Sequence, residues 1–380
     1  AKFVKLKHPL NPEEGGFLGD ANVNVSSPNW ASSSRGINSK IYFTDNYIIA
    51  GDAYFGYHSY TKDGKFSHTI VAMEKLPDYS TGNNTVTIEW NDSLQMVRSF
   101  SAMGDNCLFL VTQGRKGKLF FHNITAKKNY LERPPVNGNP FLLSPTTIIS
   151  YRYNAAVAKP STFIDILSYK SDTLATFRNY NSLVEPKKGS YTNPDKTFIY
   201  YLDGKMSIRQ AYNDTIYRIV SEQKLQPVYV MNFGKQKLDV QTGLYGNKAG
   251  KLIPYTWLEA KDFIFITYTE NYDCPNNRNN GSVKFYYVFY DKKDRQLYQM
   301  PSGGFPEEHL IKNSIEGGIP VVGNIARADS KSLSVGYTKA QLGNIIKNKD
   351  FKSFPQDQQN NLQSQYDGLS EQEMLVMILE

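Results

Sequence analysis

The chain has 380 residues, 40% apolar and 21% charged, proportions that exclude wholesale disorder and mark a globular protein able to bury a large core. Its 43 basic and 36 acidic side chains leave a net charge of +7. The lysines (Lys2, Lys5, Lys7, Lys187, Lys188, Lys347, Lys349) are scattered, without the dense basic stripe that phosphate contacts require, so nucleic acid is not an expected partner.

No apolar run approaches the ~18 residues of a membrane span, and a start at Ala1 rather than Met predicts a trimmed, mature form. The aromatic content is distinctive, with 27 Tyr and 21 Phe against 3 Trp. Tyrosine suits half-buried strands, where its ring packs and its hydroxyl reaches water or a partner. Composition therefore points to β-structure before any segment is read.

The first segment, Phe3-Val4-Lys5-Leu6, alternates like a lone strand. A hairpin follows over Tyr54–Tyr60 and Phe66–Val71, turning at Lys62-Asp63-Gly64-Lys65. Asp-Gly is a strong hairpin signal because tight primed turns need positive φ. Met96–Phe100 and Leu108–Val111 form an apolar pair ahead of a second hairpin, Leu119–Ile124 with Tyr130-Leu131. A third runs over Thr162–Tyr169 and turns at Ser171-Asp172, and a fourth joins Thr215–Ile219 to Val228–Phe233. Tyr255–Leu258 and Phe263–Tyr268 precede a fifth, Lys284–Tyr290 with Gln296–Tyr298.

The turns fall near residues 63, 127, 171, 222 and 292, intervals that suit propeller blades of about 40–50 residues with loop insertions. Four strands per unit is the blade count. Toward the C-terminus, Ile319–Val322 and Ser332–Tyr337 read as strands. Thr338–Lys347 has helical spacing, Gln356–Asp367 is polar and Gln-rich, and Met374–Leu379 is a last strand. The expectation is one all-β domain over residues 1–380, a six-bladed β-propeller. Its ring is closed by the N-terminal strand (about 2–7) joining three C-terminal strands, with a small helical insertion at about 338–370. Closure of this kind removes exposed sheet edges. Two stacked β-sandwiches are the alternative arrangement.

Asn213-Asp214-Thr215-Ile216-Tyr217-Arg218-Ile219, followed by Pro227–Lys235, resembles a recurring signature of six-bladed β-propeller proteins from Bacteroides-type bacteria, many of them lipoproteins. The ending, a helical insertion followed by Met374–Leu379, is similar to the same group. The resemblance covers roughly residues 196–240 and 319–380. It implies a TolB-like fold and an exported location with a lipid anchor as membrane tether, and it implies no activity. Asp92-Ser93-Leu94, Asp172-Thr173-Leu174 and Asp214-Thr215-Ile216 also resemble the O-glycosylation site of exported Bacteroides proteins.

The sequence lacks the serine-hydrolase elbow, the zincin helix, both phosphate-binding Gly loops and the EF-hand loop, so no cofactor and no metal is expected. Cys107 reads as a small buried hydrophobe and Cys274 as a loop residue, and whether they pair is open. Glu307-Glu308-His309 reads as a solvated loop. His58 and His68 lie on paired strands, where they can approach each other or serve as buried structural residues.

In a propeller, the loops from second to third strand and from fourth strand to the next blade share one face around the channel. The candidate ligand residues on that face are Arg115, Tyr151, Arg152, Tyr153, Arg209, Tyr212, Tyr272 and Arg278. Arginine forks match carboxylate or sulfate groups, and tyrosine rings stack on sugars. The expected function is an exported ligand-binding or scaffolding propeller, accessory to capture of an acidic glycan or peptide at the cell envelope, with an envelope protein as a further partner. A propeller-type polysaccharide hydrolase or lyase is the alternative, and would need a pair of carboxylates at the same mouth.

Overall fold

In a computed structural model the described residues are 2–7, 22–27, 30–36, 40–44, 46–52, 56–72, 79–82, 85–89, 95–113, 116–152, 162–170, 172–179, 195, 197–271, 283–299, 325–327, 333–370 and 373–379. They form two compact units, Ala1–Pro135 with Leu310–Glu380, and Val136–His309.

The first unit opens with β1 (Lys2–Lys7), then β2 (Asn22–Ser27) and β3 (Trp30–Gly36). Its first blade is β4 (Lys40–Phe43), β5 (Tyr47–Asp52), β6 (Gly56–Thr61) and β7 (Phe66–Val71), paired in that order. Next, β8 (Tyr79–Gly82) and β9 (Thr85–Glu89) join β2 and β3 in a separate sheet through a parallel β2–β9 pairing. The second blade is β10 (Gln95–Met103), β11 (Asn106–Gln113), β12 (Lys116–Asn123) and β13 (Lys128–Arg133).

The second unit holds three blades in succession. They are β14 (Asn139–Ser144), β15 (Thr147–Tyr151), β16 (Thr162–Ser168) and β17 (Thr173–Arg178); then β18 (Phe198–Leu202), β19 (Lys205–Arg209), β20 (Thr215–Ser221) and β21 (Lys224–Val230). After a short helix, α1 (Val240–Tyr245), come β22 (Leu252–Glu259), β23 (Phe263–Glu270), β24 (Lys284–Asp291) and β25 (Gln296–Gln299).

The sixth blade returns to the first unit. It consists of β26 (Ile325–Arg327), β27 (Leu333–Thr338) and β28 (Glu373–Leu379), with β1 as its fourth strand. The β1–β28 register runs from Lys2 opposite Ile378 to Lys7 opposite Glu373. The fold class is therefore the expected all-β six-bladed β-propeller, closed by the N-terminal strand. The expected strand at Ile319–Val322 lies outside the described residues.

A burial gradient explains why these sequences make blades. Second strands are buried on both faces, as in Ile48–Ala50 of β5, Cys107–Leu110 of β11 and Ile148–Ser150 of β15, and they read as short unbroken apolar runs. The outer strand β25 faces solvent instead: all four of its residues are exposed, Leu297 and Tyr298 included. The first hairpin needs its glycine. Gly64 has φ +89° and its α-carbon lies against the Lys5 backbone and Val4 side chain of β1, so a side chain there would be both strained and obstructed.

Two helices, α2 (Lys339–Lys347) and α3 (Gln356–Asp367), fill the connection between β27 and β28. Thr338 caps α2 in a reciprocal box with Gln341, which satisfies two otherwise orphaned N–H groups. Leu342, Ile345 and Leu362 pack on Tyr337, Leu375 and Met377. The polar, Gln-rich α3 buries Leu362 alone.

Candidate functional site

Within the second unit, the ends of β17, β19 and β23 and the segments entering β18 and β22 are tied together at one end, where β15 also ends. Tyr212 fits against α1 so closely that Gly243 has no room for a side chain. Gly250 N–H donates to Asn271 Oδ1 at 2.9 Å, and Gln210 Nε2 donates to Asn179 Oδ1 at 2.5 Å.

Four of the eight expected ligand residues fall at this end among the described residues: Tyr151, Arg152, Arg209 and Tyr212. The other four, Arg115, Tyr153, Tyr272 and Arg278, lie outside them, as do Cys274 and the Glu307–His309 cluster. Arg152 is 37% exposed at its side chain and pairs with Asp165 at 3.3 Å. Arg209 and Tyr212 differ, being only 2% and 4% exposed.

Arg209 closes a bidentate ion pair with Asp195, both contacts 2.8 Å, and its guanidinium lies 5.3 Å from the Phe198 ring centre. The Tyr212 N–H donates to the same carboxylate at 2.6 Å. This planar fork on a buried carboxylate is the geometry that distinguishes arginine from lysine. It locks the segment entering β18 onto the exit of β19.

One basic group at this end was not singled out in the sequence. Lys248, between α1 and β22, is 7% exposed over the whole residue. On β23 and β24, Tyr268 and Tyr286 stack with centres 4.8 Å apart. Tyr286 donates to Glu270 at 2.7 Å, and this bond, with burial, pushes its phenol up to about 12.

The most saturated charged group is Glu259, at the end of β22 and 1% exposed. Its Oε2 accepts from Tyr200 at 2.7 Å and Arg218 at 3.2 Å. Its Oε1 accepts from Tyr229 and Lys292, both at 2.7 Å. Burial raises the carboxyl pKa, but the bonds from Lys292, Tyr200 and Tyr229 outweigh it and hold the group below the usual carboxylate range. Both phenols are pushed far up, mainly by burial and then by Glu259 itself. A fully donated carboxylate is a poor general base and a tyrosine held protonated is a poor nucleophile. The cluster is an interblade clasp, joining three strands of one blade to the next.

In the first unit, the β6–β7 register places His58 opposite Thr69 and Ser59 opposite His68, so the two histidines leave opposite faces. His58 Nδ1 bonds Thr69 Oγ1 at 3.1 Å, while His68 Nε2 meets His122 Nε2 of the neighbouring blade at 3.0 Å. Burial first, then the nearby His122 and Lys127, lowers His68 to about 4, and burial lowers His122 as well. The folded pair thus binds fewer protons than the unfolded chain between pH 6.5 and about 4. Stability is fully present above that window and falls as pH drops through it. Urea midpoints measured from pH 7 to 4 should show this decline, and His68→Asn should flatten it. Cys107 is a free, buried thiol whose pKa burial raises.

Of the sites resembling O-glycosylation sequences, Asp92–Leu94 lies outside the described residues. Thr173 and Leu174 are exposed on the outer strand β17. Asp214 pairs with Lys237 at 2.6 Å and Ile216 is fully buried. No helix of the described residues is long and apolar enough to cross a membrane.

Six four-stranded blades define a β-propeller. The model of the family described as a domain of unknown function, DUF4933, matches residues 26–348, and the chain belongs to that family. Its structure is similar to that of a Bacteroides fragilis protein described as exported, at 14% identity and TM-score 0.59, covering 100% of this chain and 95% of that one. It is also similar to a member of the DUF4221 family from Bacteroides vulgatus, at 8% identity and TM-score 0.45, covering 100% and 96%. No curated protein matches the chain. At these identities the first likeness speaks for a shared fold.

Proposed function

We propose that the protein is an exported, ligand-binding or scaffolding propeller that takes an anionic ligand, an acidic glycan or peptide, at the loop end of residues 136–309. The observation that carries this reading is Arg152, whose buried Nε has no acceptor among the described residues while its side chain is 37% exposed, at an end that also presents Tyr151. An acidic group would supply the missing acceptor, and the tyrosines would offer faces to a sugar ring. The exported description of the Bacteroides fragilis neighbour supports a place outside the cytoplasm, and the TolB-like grouping with a lipid tether belongs to the same reading.

A thermal-shift series with acidic oligosaccharides, their neutral counterparts and acidic peptides tests it. A ligand at about 100 times its Kd should add about 2.7 kcal/mol. The expected result is a shift with an acidic ligand that is lost in Arg152→Ala. Equal shifts with neutral sugars, or none with any anion, would remove the anionic site.

A further inference from the structure

The contact between His68 and His122 is unusual in its direction. The ring centres are 5.2 Å apart and the Nε2 atoms 3.0 Å apart, so the two imidazoles meet end-on, nitrogen to nitrogen. His68 comes from the outer strand of the first blade and His122 from the third strand of the second. Each far nitrogen has an oxygen partner: His122 Nδ1 lies 2.9 Å from Asn129 Oδ1, and His68 Nδ1 lies 2.9 Å from Ser59 Oγ. With Asn129 accepting from His122 Nδ1–H, His122 Nε2 carries a lone pair, and His68 Nε2–H donates to it. Far-nitrogen bonds to oxygen are what hold metal-binding imidazoles in orientation.

We infer that this pair is a linear, two-coordinate site for a soft monovalent ion, Cu(I), bound between the two Nε2 atoms. Among the described residues no third His, Cys, Asp or Glu joins them in a metal-binding group. Zinc and other divalent ions favour four or more donors, whereas a filled-shell monovalent ion is satisfied by two donors in line. Taking about 2 Å per metal–nitrogen bond as for zinc, the nitrogens must part by about 1 Å. His68, half-buried near a hairpin turn, is the side that can move.

The protons balance without release. His68 shifts its proton from Nε2 to Nδ1, where Ser59 Oγ accepts it. The Ser59 hydroxyl then donates to the His68 carbonyl oxygen, 3.4 Å away. Both nitrogens facing the metal then carry lone pairs.

The test is an anaerobic titration with Cu(I) against a chromophoric Cu(I) chelator. It is paired with Ag(I), a redox-inert substitute, followed through the imidazole nitrogen resonances of the five histidines. Wild-type protein should take up one equivalent, and Ag(I) should move the Nε2 resonances of two histidines. His68→Gln and His122→Gln should each weaken uptake at least tenfold, and His58→Gln should not. The Ag(I) experiment uses wild-type protein alone, so a poorly folding variant leaves the answer intact. No uptake by wild-type protein, uptake unchanged in His68→Gln, or Zn(II) bound more tightly than Cu(I) would overturn the assignment.

Discussion

Arg209→Met is expected to lower folding stability by about 3–5 kcal/mol, the cost of leaving one member of a buried ion pair without the other. The variant strands the Asp195 carboxylate, 1% exposed, with the Tyr212 N–H still bonded to it but its cation gone. Urea unfolding measures the loss. The double variant Arg209→Met with Asp195→Leu should recover much of it, since apolar replacements of a buried pair are often neutral. The same experiment separates two roles for Arg209. If it frames the loop end, stability falls and the ligand-induced shift survives below the new midpoint. A variant of near-normal stability that no longer responds to ligand would instead make Arg209 a ligand contact.

The blades were legible because local chemistry and blade geometry agree. Asp63-Gly64 marks a turn that only positive φ allows, and the alternation of Phe3–Leu6 leaves a lone strand needing a partner, which β28 supplies. The sheet of β2, β3, β8 and β9 was not legible, since Asn22–Ser27 and Trp30–Gly36 are rich in small polar residues and weak in apolar alternation. The ionic framework was hidden for a different reason. An arginine at a strand exit reads as a loop residue until Asp195, 14 positions earlier, folds back onto it. His122 lies 54 residues from His68, so the sequence offered His58 as the nearer candidate, although the register sends it to the other face.

Glu259 shows the same limit and the second large expected effect. Its donors lie 30 to 59 residues away in the chain, and the available signal was a charged residue closing the apolar run of β22. Glu259→Gln keeps the shape but removes the charge that Arg218 and Lys292 share, and turns one acceptor into a donor facing donors. The loss should be about 3–5 kcal/mol, as for a broken buried pair. Because folding lowers the Glu259 pKa, its contribution is fully present above the ordinary carboxylate value of 4.5 and fades as pH falls below it. The difference in urea midpoint between wild type and Glu259→Gln should therefore be constant near neutrality and shrink in acid. A difference that persists unchanged to low pH would mean that packing, and not the carboxylate charge, holds these two blades together.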